Sequence, residues 1–296
     1  MTTANILAQL GSAGVSTAFK NRIINGAMNI WQRGTTSTTT GAGYYTADRW
    51  ASYMPSGSGT ISQDTTAVPA GFQYGLRFTS GGASSICNFY QTIETSNCYD
   101  LAGQNATLSF YASGTAGVQV YFYIFYSTTT DAAYTSSFTT VARLTVTLTT
   151  TPTLYSITGA VPSGAKTIQI SAQPVSGLSS GQYYSFTGVQ LEVGTTATNF
   201  DYRPYGTELA LCQRYYTVFS SQVYSYASTQ LVGSTVPFKV SMRASPTVVF
   251  SSVGYGNCSG INTSVSLNSE AVSPSVTVSS LGAYNFNYTC SASAEL

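Results

Sequence analysis

VQVYFYIFY, residues 118–126, alternates so that Val118, Val120, Phe122, Ile124 and Tyr126 point one way and Gln119, Tyr121, Tyr123 and Phe125 the other, as side chains along a strand must. A period of two held this long argues against a helix, whose apolar positions recur every three or four residues. The first set is an ordinary core face. The second is unusual, because the outer surface of a strand normally carries Thr, Ser or Lys, and here it carries three aromatic rings. Two readings fit them. Tyr121, Tyr123 and Phe125 form a platform on which the apolar face of a sugar lies while the tyrosine hydroxyls bond to it. Alternatively the rings are covered, as a second core layer or a subunit interface, because monomers seldom leave such an apolar patch open. Burial is the favoured reading. Loop-tip tyrosines Tyr44, Tyr45 and Tyr134 are the next candidates for glycan contact.

Outward from this strand, TLSFY (107–111), VARLTVTL (141–148), KTIQISA (166–172) and VQLEV (189–193) alternate in the same way between Gly, Pro and Ser clusters. That pattern predicts an all-β sandwich or barrel over residues 21–204. The period then changes. TELALCQRYYTVF (207–219) offers Thr207 as an N-cap, Glu208 where it complements the helix dipole, and Leu209, Cys212, Tyr216 and Phe219 on one face. Leu211 and Tyr215 fall on the rest of the circumference, so this connecting helix, placed at 205–219, is more apolar than one packed surface requires. Leu209, Leu211, Cys212, Tyr215, Tyr216 and Phe219 are therefore the candidate interface residues, with a symmetry-related copy covering what the two β units leave bare; the alternative is that the two β units cover both sides within one chain. Alternation returns in VPFKVSM, PTVVFSS, SVSLN, SVTVSS and AYNFNYTC, predicting a second, smaller β-sandwich over residues 220–296. Residues 1–20 read as an arm or short helix. Its Ile6, Leu7, Leu10 and Val15 need a partner surface, since so short a helix is marginal alone.

Composition narrows the function. Only 7% of the 296 residues are charged while 43% are hydrophobic and 23 are tyrosine, a balance that favours a folded β protein over disorder. The net charge of +1 is spread without a basic or acidic run, so neither nucleic acid nor an anionic membrane is an expected partner. No run of about 18 apolar residues suits a membrane span, and the first residues lack a signal-peptide pattern. The chain is expected to be made in a cytosol, to remain soluble and not to insert in membranes. Five cysteines at spacings foreign to zinc sites read as small buried hydrophobes. The absence of histidine removes Ser-His-Asp, Cys-His and imidazole-metal chemistry. No phosphate-binding glycine loop appears either, and no cofactor or metal is expected. Asp48, Glu94, Asp100, Glu192 and Asp201 leave room for a glycosidase carboxylate pair, although pairing with Arg22, Arg49, Arg77 or Arg203 is the favoured use of such sparse charges. The chain reads as a non-enzyme.

Longer stretches carry a family likeness. NRIINGAMNIWQRG (21–34), YYTADRW (44–50), VQLEVGTTATNFDYRPYGTELALCQRYY (189–216), VPFKVSMRASPTV (236–248) and the final SAEL (293–296) together resemble bacteriophage virion proteins of the tail-fibre and related structural type, across nearly the whole chain. The first β unit is similar in pattern to carbohydrate-binding jelly rolls, whose closing strand reads much like VQLEVG. The resemblance implies a tail-fibre-like adhesin on the tail or outer surface of a virion, a homotrimer that recognises host-surface glycans by multivalent, non-catalytic binding. The N-terminal arm would dock to other virion proteins. A capsid decoration or head-fibre protein is the first alternative, and a small glycan depolymerase the second. In such a sandwich Ile24, Met28, Ile30 and Trp31 would belong to the first strand and its flank, Trp50 would pack inward, and Asp48 would pair with Arg33 or Arg49. The stretch at 21–34 then opens the domain and is not a ligand site.

Overall fold

The computed structural model describes residues 20–227, 231–262 and 268–296. The expected arm at 1–20, apart from Lys20, and most of SVSLN lie outside the described residues. In chain order the first unit comprises β1 (Thr36–Ser37), β2 (Gly43–Tyr44), β3 (Ala51–Ser56), β4 (Gly59–Asp64), β5 (Gly75–Ser80), β6 (Ile86–Ile93), β7 (Asn105–Gly114), β8 (Gln119–Ser127), β9 (Thr139–Thr147), β10 (Thr153–Ala160), β11 (Thr167–Pro174) and β12 (Tyr183–Val193). They pair antiparallel into two six-stranded sheets, β1-β4-β5-β12-β7-β10 and β2-β3-β6-β11-β8-β9. The mainly β sandwich that the alternation predicts is the architecture found.

The inner face of β8 is the expected core face: Val120, Phe122 and Ile124 meet Leu108 and Phe110 of β7, Ile168 and Ile170 of β11, and Phe186 and Leu191 of β12. Phe110 and Phe122 stack across the two sheets at 3.7 Å, and Trp50, which is buried as expected, meets Phe186 edge-on at 5.2 Å. Each such ring contributes about 1.5–3 kcal/mol by leaving water. All five cysteines are buried and free. Burial pushes the thiols of Cys87 and Cys212 up, that of Cys98 to about 12 and that of Cys290 to about 11.

Residues 21–34 do open this unit, but not as a strand. The segment turns on itself, with Asn25 and Met28 both at positive φ (57° and 55°). Asn25 holds the turn, its amide donating to the carbonyls of Ile30 (2.9 Å) and Asp48 (3.0 Å) while its own carbonyl oxygen accepts from the Ile30 N–H (3.0 Å). Gly26 is required beside it, because a Cβ there would lie 2.1 Å from the Val189 carbonyl oxygen. Ile23 and Met28 still reach the core. Asp48 takes Arg33 (3.6 Å), and Arg49 goes elsewhere, to Glu295.

The connecting helix α1 spans Tyr205–Gln213, and the expected continuation to Phe219 is not helical. Thr207 is not its cap either, since the chain enters from Pro204, whose carbonyl accepts from Thr207 and Glu208. Tyr216 and Phe219 belong to the strand that follows, because the β-branched and aromatic YYTVF run finds a long partner in register. The second unit comprises β13 (Tyr216–Ala227), β14 (Leu231–Gly233), β15 (Val236–Pro237), β16 (Thr247–Gly256), β17 (Cys258–Asn262), β18 (Ala271–Val272), β19 (Ser275–Val278) and β20 (Gly282–Ser293). Phe219 faces Cys290 of β20. The three small sheets, β13-β20-β16, β14-β19-β17 and β15-β18, enclose a second core around Phe286, Tyr288, Val272 and Val276. VPFKVSM is a strand only at its start, yet Phe238 and Met242 join this core as the chain crosses beside Glu270 and Ser269. Among the described residues no helix is long and apolar enough to cross a membrane.

Candidate functional site

The outer face of the β2-β3-β6-β11-β8-β9 sheet follows from register alone. Opposite residues share a face, so Tyr121, Tyr123 and Phe125 of β8 stand beside Gln173, Ser171 and Gln169 of β11. Ser171 and Gln169 in turn stand beside Tyr90 and Thr92 of β6. Tyr53 of β3 faces Asn88, completing a surface of aromatic rings separated by hydroxyls and amides. The loop from β8 to β9 folds over one end of this surface and encloses a cleft of about 520 Å³. Tyr53, Tyr90, Phe125, Tyr134 and Phe138 supply its walls, and Gln169 and Gln173 its polar groups.

The amides are held in place. Gln169 donates to the Thr92 hydroxyl and the Tyr134 carbonyl, both at 3.0 Å, and Gln173 to the Ser171 hydroxyl at 2.9 Å. Burial pushes the Tyr90 and Tyr134 phenols up from their ordinary range, so both stay protonated at neutral pH and can donate. Among the described residues no Asp or Glu lines the cleft, and no three His, Cys, Asp or Glu side chains converge to hold a metal ion. The arrangement suits a neutral, hydroxylated ligand with apolar faces.

Of the residues expected from sequence, Phe125 and Tyr134 line the cleft. Tyr123 does not, because its ring lies flat against Phe125 at 4.6 Å and 13°, and Tyr121 meets Tyr123 edge-on at 5.7 Å. The aromatic run is thus a ladder in which rings cover one another, not an open platform, and all three are half-buried. Tyr44 sits behind Tyr134, edge-on at 5.4 Å, with its hydroxyl donating to the Leu296 carbonyl. Tyr45 closes its own loop by donating to the Ala42 carbonyl. Neither lines the cleft. Tyr53, Tyr90, Phe138, Gln169 and Gln173 were not singled out by the sequence reading, although the alternation of KTIQISA already sets Gln169 and Ser171 on the face opposite to Ile168 and Ile170.

The expected interface set divides. Cys212 and Tyr215 are buried within the chain against Ile24 and Ile30, with Leu209 and Leu211 half-buried at the margin. Arg49 lies over the Tyr215 ring at 3.5 Å, and Arg33 over Tyr216 at 3.5 Å. Phe219 packs on the second core. Cys212 and Tyr215 are therefore covered by the chain's own opening turn and require no second copy, while Leu209 and Leu211 stay half-buried.

No protein-family model matches the chain, and no curated protein matches it. Solved structures do. The enzymatically active domain of tailspike protein 4 from bacteriophage CBA120 is similar at 14% identity and a TM-score of 0.40, over 59% of this chain but only 22% of that one. A carbohydrate-binding module solved with β-1,4-galactotriose, TmCBM61, is similar at 12% identity and 0.40, over 59% of this chain and 99% of the module. The N-terminal cellulose-binding domain of β-1,4-glucanase C from Cellulomonas fimi follows at 18% identity and 0.33, over 57% and 100%.

Proposed function

We propose that the chain is a non-catalytic glycan-binding protein, and that it serves as a tail-fibre-like adhesin on a bacteriophage virion. The observation that carries the binding role is the cleft, in which Tyr53, Tyr90, Phe125 and Tyr134 offer rings to the apolar faces of sugars while the Gln169 carbonyl oxygen and the Gln173 amide are the polar groups set toward their hydroxyls. The lack of any carboxylate in its lining favours binding over hydrolysis, which needs two. The virion setting rests on the sequence motifs alone, and a homotrimer presenting several clefts to one cell surface would turn weak contacts into firm attachment.

Two variants test the binding role. Phe125→Ala and Tyr90→Ala should each weaken binding to host-surface polysaccharide about fivefold or more, since a stacked ring is worth of order 1 kcal/mol beyond its area. Affinity electrophoresis reads the loss. Unchanged retardation of both folded variants would remove this cleft from consideration. Antibody labelling of intact particles tests the setting, with tail label expected and head label favouring a capsid decoration protein.

A further inference from the structure

The strands that build the cleft's sheet, GY, ASYMPS, ICNFYQTI, QVYFYIFYS, TTVARLTVT and TIQISAQP, contain no Asp or Glu and a single charged residue, Arg143. Arg143 lies on the outer face, opposite Tyr123 in register and exposed. Its guanidinium is held over the Tyr121 ring at 4.8 Å, a cation–π contact that fixes the side chain without neutralising it. Among the described residues the seven other arginines each meet a carboxylate, and Arg143 meets none. In a chain with almost as many acids as bases, this one uncompensated arginine stands one strand beyond Phe125. Directly across from Phe125 stands Thr140, whereas Arg143 pairs with Tyr123 and lies over Tyr121; at about 3.3 Å per residue this is about 7–13 Å along β8 from Phe125, so a saccharide running along the ladder from the cleft brings a later residue to Arg143.

We propose that the preferred ligand is an acidic glycan, in which the sugar beyond Phe125 bears a carboxylate that Arg143 grips through its forked N–H donors. The inference rests on the glycan-binding reading of the same cleft and adds the ligand's charge to it. Neutral sugar units occupy the ring-lined part, and the anionic unit lies over the Tyr121–Tyr123 ladder. With no acidic side chain in the sheet's strands, nothing in those strands competes for the guanidinium.

The test is titration calorimetry with the full chain against polygalacturonate, alginate and polysialic acid, each beside its carboxyl-reduced, neutral counterpart. The expected result is binding about two- to fivefold tighter to an acidic form, weakening as sodium chloride rises from 50 to 500 mM. Arg143→Gln should remove that preference, and Arg143→Lys should restore part of it. Equal binding of acidic and reduced forms, lost in Phe125→Ala and indifferent to Arg143→Gln, overturns the acidic preference while leaving the cleft a glycan site. Failure of the wild-type chain to bind any member of the panel overturns both.

Discussion

Arg49 is a fully buried guanidinium, capped by the Tyr215 ring and paired with Glu295, which also takes Arg33 at 3.0 Å. Removing one partner of such a pair leaves an uncompensated charge in a dry site, so Glu295→Ala is expected to cost about 3–5 kcal/mol, read as a shift in the urea midpoint at constant slope. Asp48 lies beside this cluster, accepting from the Gln32 N–H at 3.1 Å with Arg33 at 3.6 Å. Burial outweighs both and pushes its carboxyl up to about 6. Between pH 4 and 6 the folded protein then holds a proton that the unfolded chain releases, so this group's contribution to stability falls as pH rises, by at most about 3 kcal/mol. Asp48→Asn should lack that decline. Thermal midpoints of the two proteins at pH 4, 5, 6 and 7 would diverge accordingly, and parallel profiles would sink the assignment.

In the turn at residues 21–34 Asn25 makes three side-chain bonds to the backbone, beside the two that Gln91 makes to Ile24. Asn25→Ala should cost about 2–4 kcal/mol, from the buried groups left unpaired and from placing Ala at positive φ. A melting point within a degree of wild type would show the turn to be held by packing instead. That turn was hidden in the sequence, because Ile23, Ile24, Met28 and Ile30 are spaced to suit a strand or a helix equally well, and the side-chain bonds of Asn25 and of the distant Gln91 decide. β7, β8, β11 and β12 were legible, since each buries an apolar face against the opposite sheet. β4 and β10, rich in Ser, Thr and Gly, were not, for their pairing depends on neighbours far along the chain. The end of α1 was misplaced because Tyr216 and Phe219 fit the helical period, whereas twelve residues of pairing with β20 outweigh one more turn of helix. At the cleft, Phe125 and Tyr134 were readable as aromatic outliers. Gln169, Gln173, Tyr53 and Tyr90 were not, since their convergence is a property of sheet order, β3-β6-β11-β8.

At the scale of the whole chain the two sandwiches meet through polar contacts: Arg214 with Glu94 at 3.0 Å, Arg243 with Asp131 at 3.5 Å, Gln32 with the Tyr216 carbonyl at 2.8 Å, and the Glu295 pairs. The small apolar cluster of Ile24, Ile30, Cys212 and Tyr215 lies beside them. Tyr215→Asp should therefore unfold or loosen the chain rather than merely separate copies of it, while Leu211→Asp, at the half-buried margin, should fold. Circular dichroism melts run beside light scattering check this. A Tyr215→Asp protein with a wild-type melt but a reduced mass would return Tyr215 to an intersubunit surface. The burial of all five thiols also makes the molecule chemically silent toward maleimides. A cysteine introduced at exposed Ser136, on the rim of the cleft, would be the only one a fluorophore could reach, and ligand occupancy would become an optical signal recorded from a single attached dye.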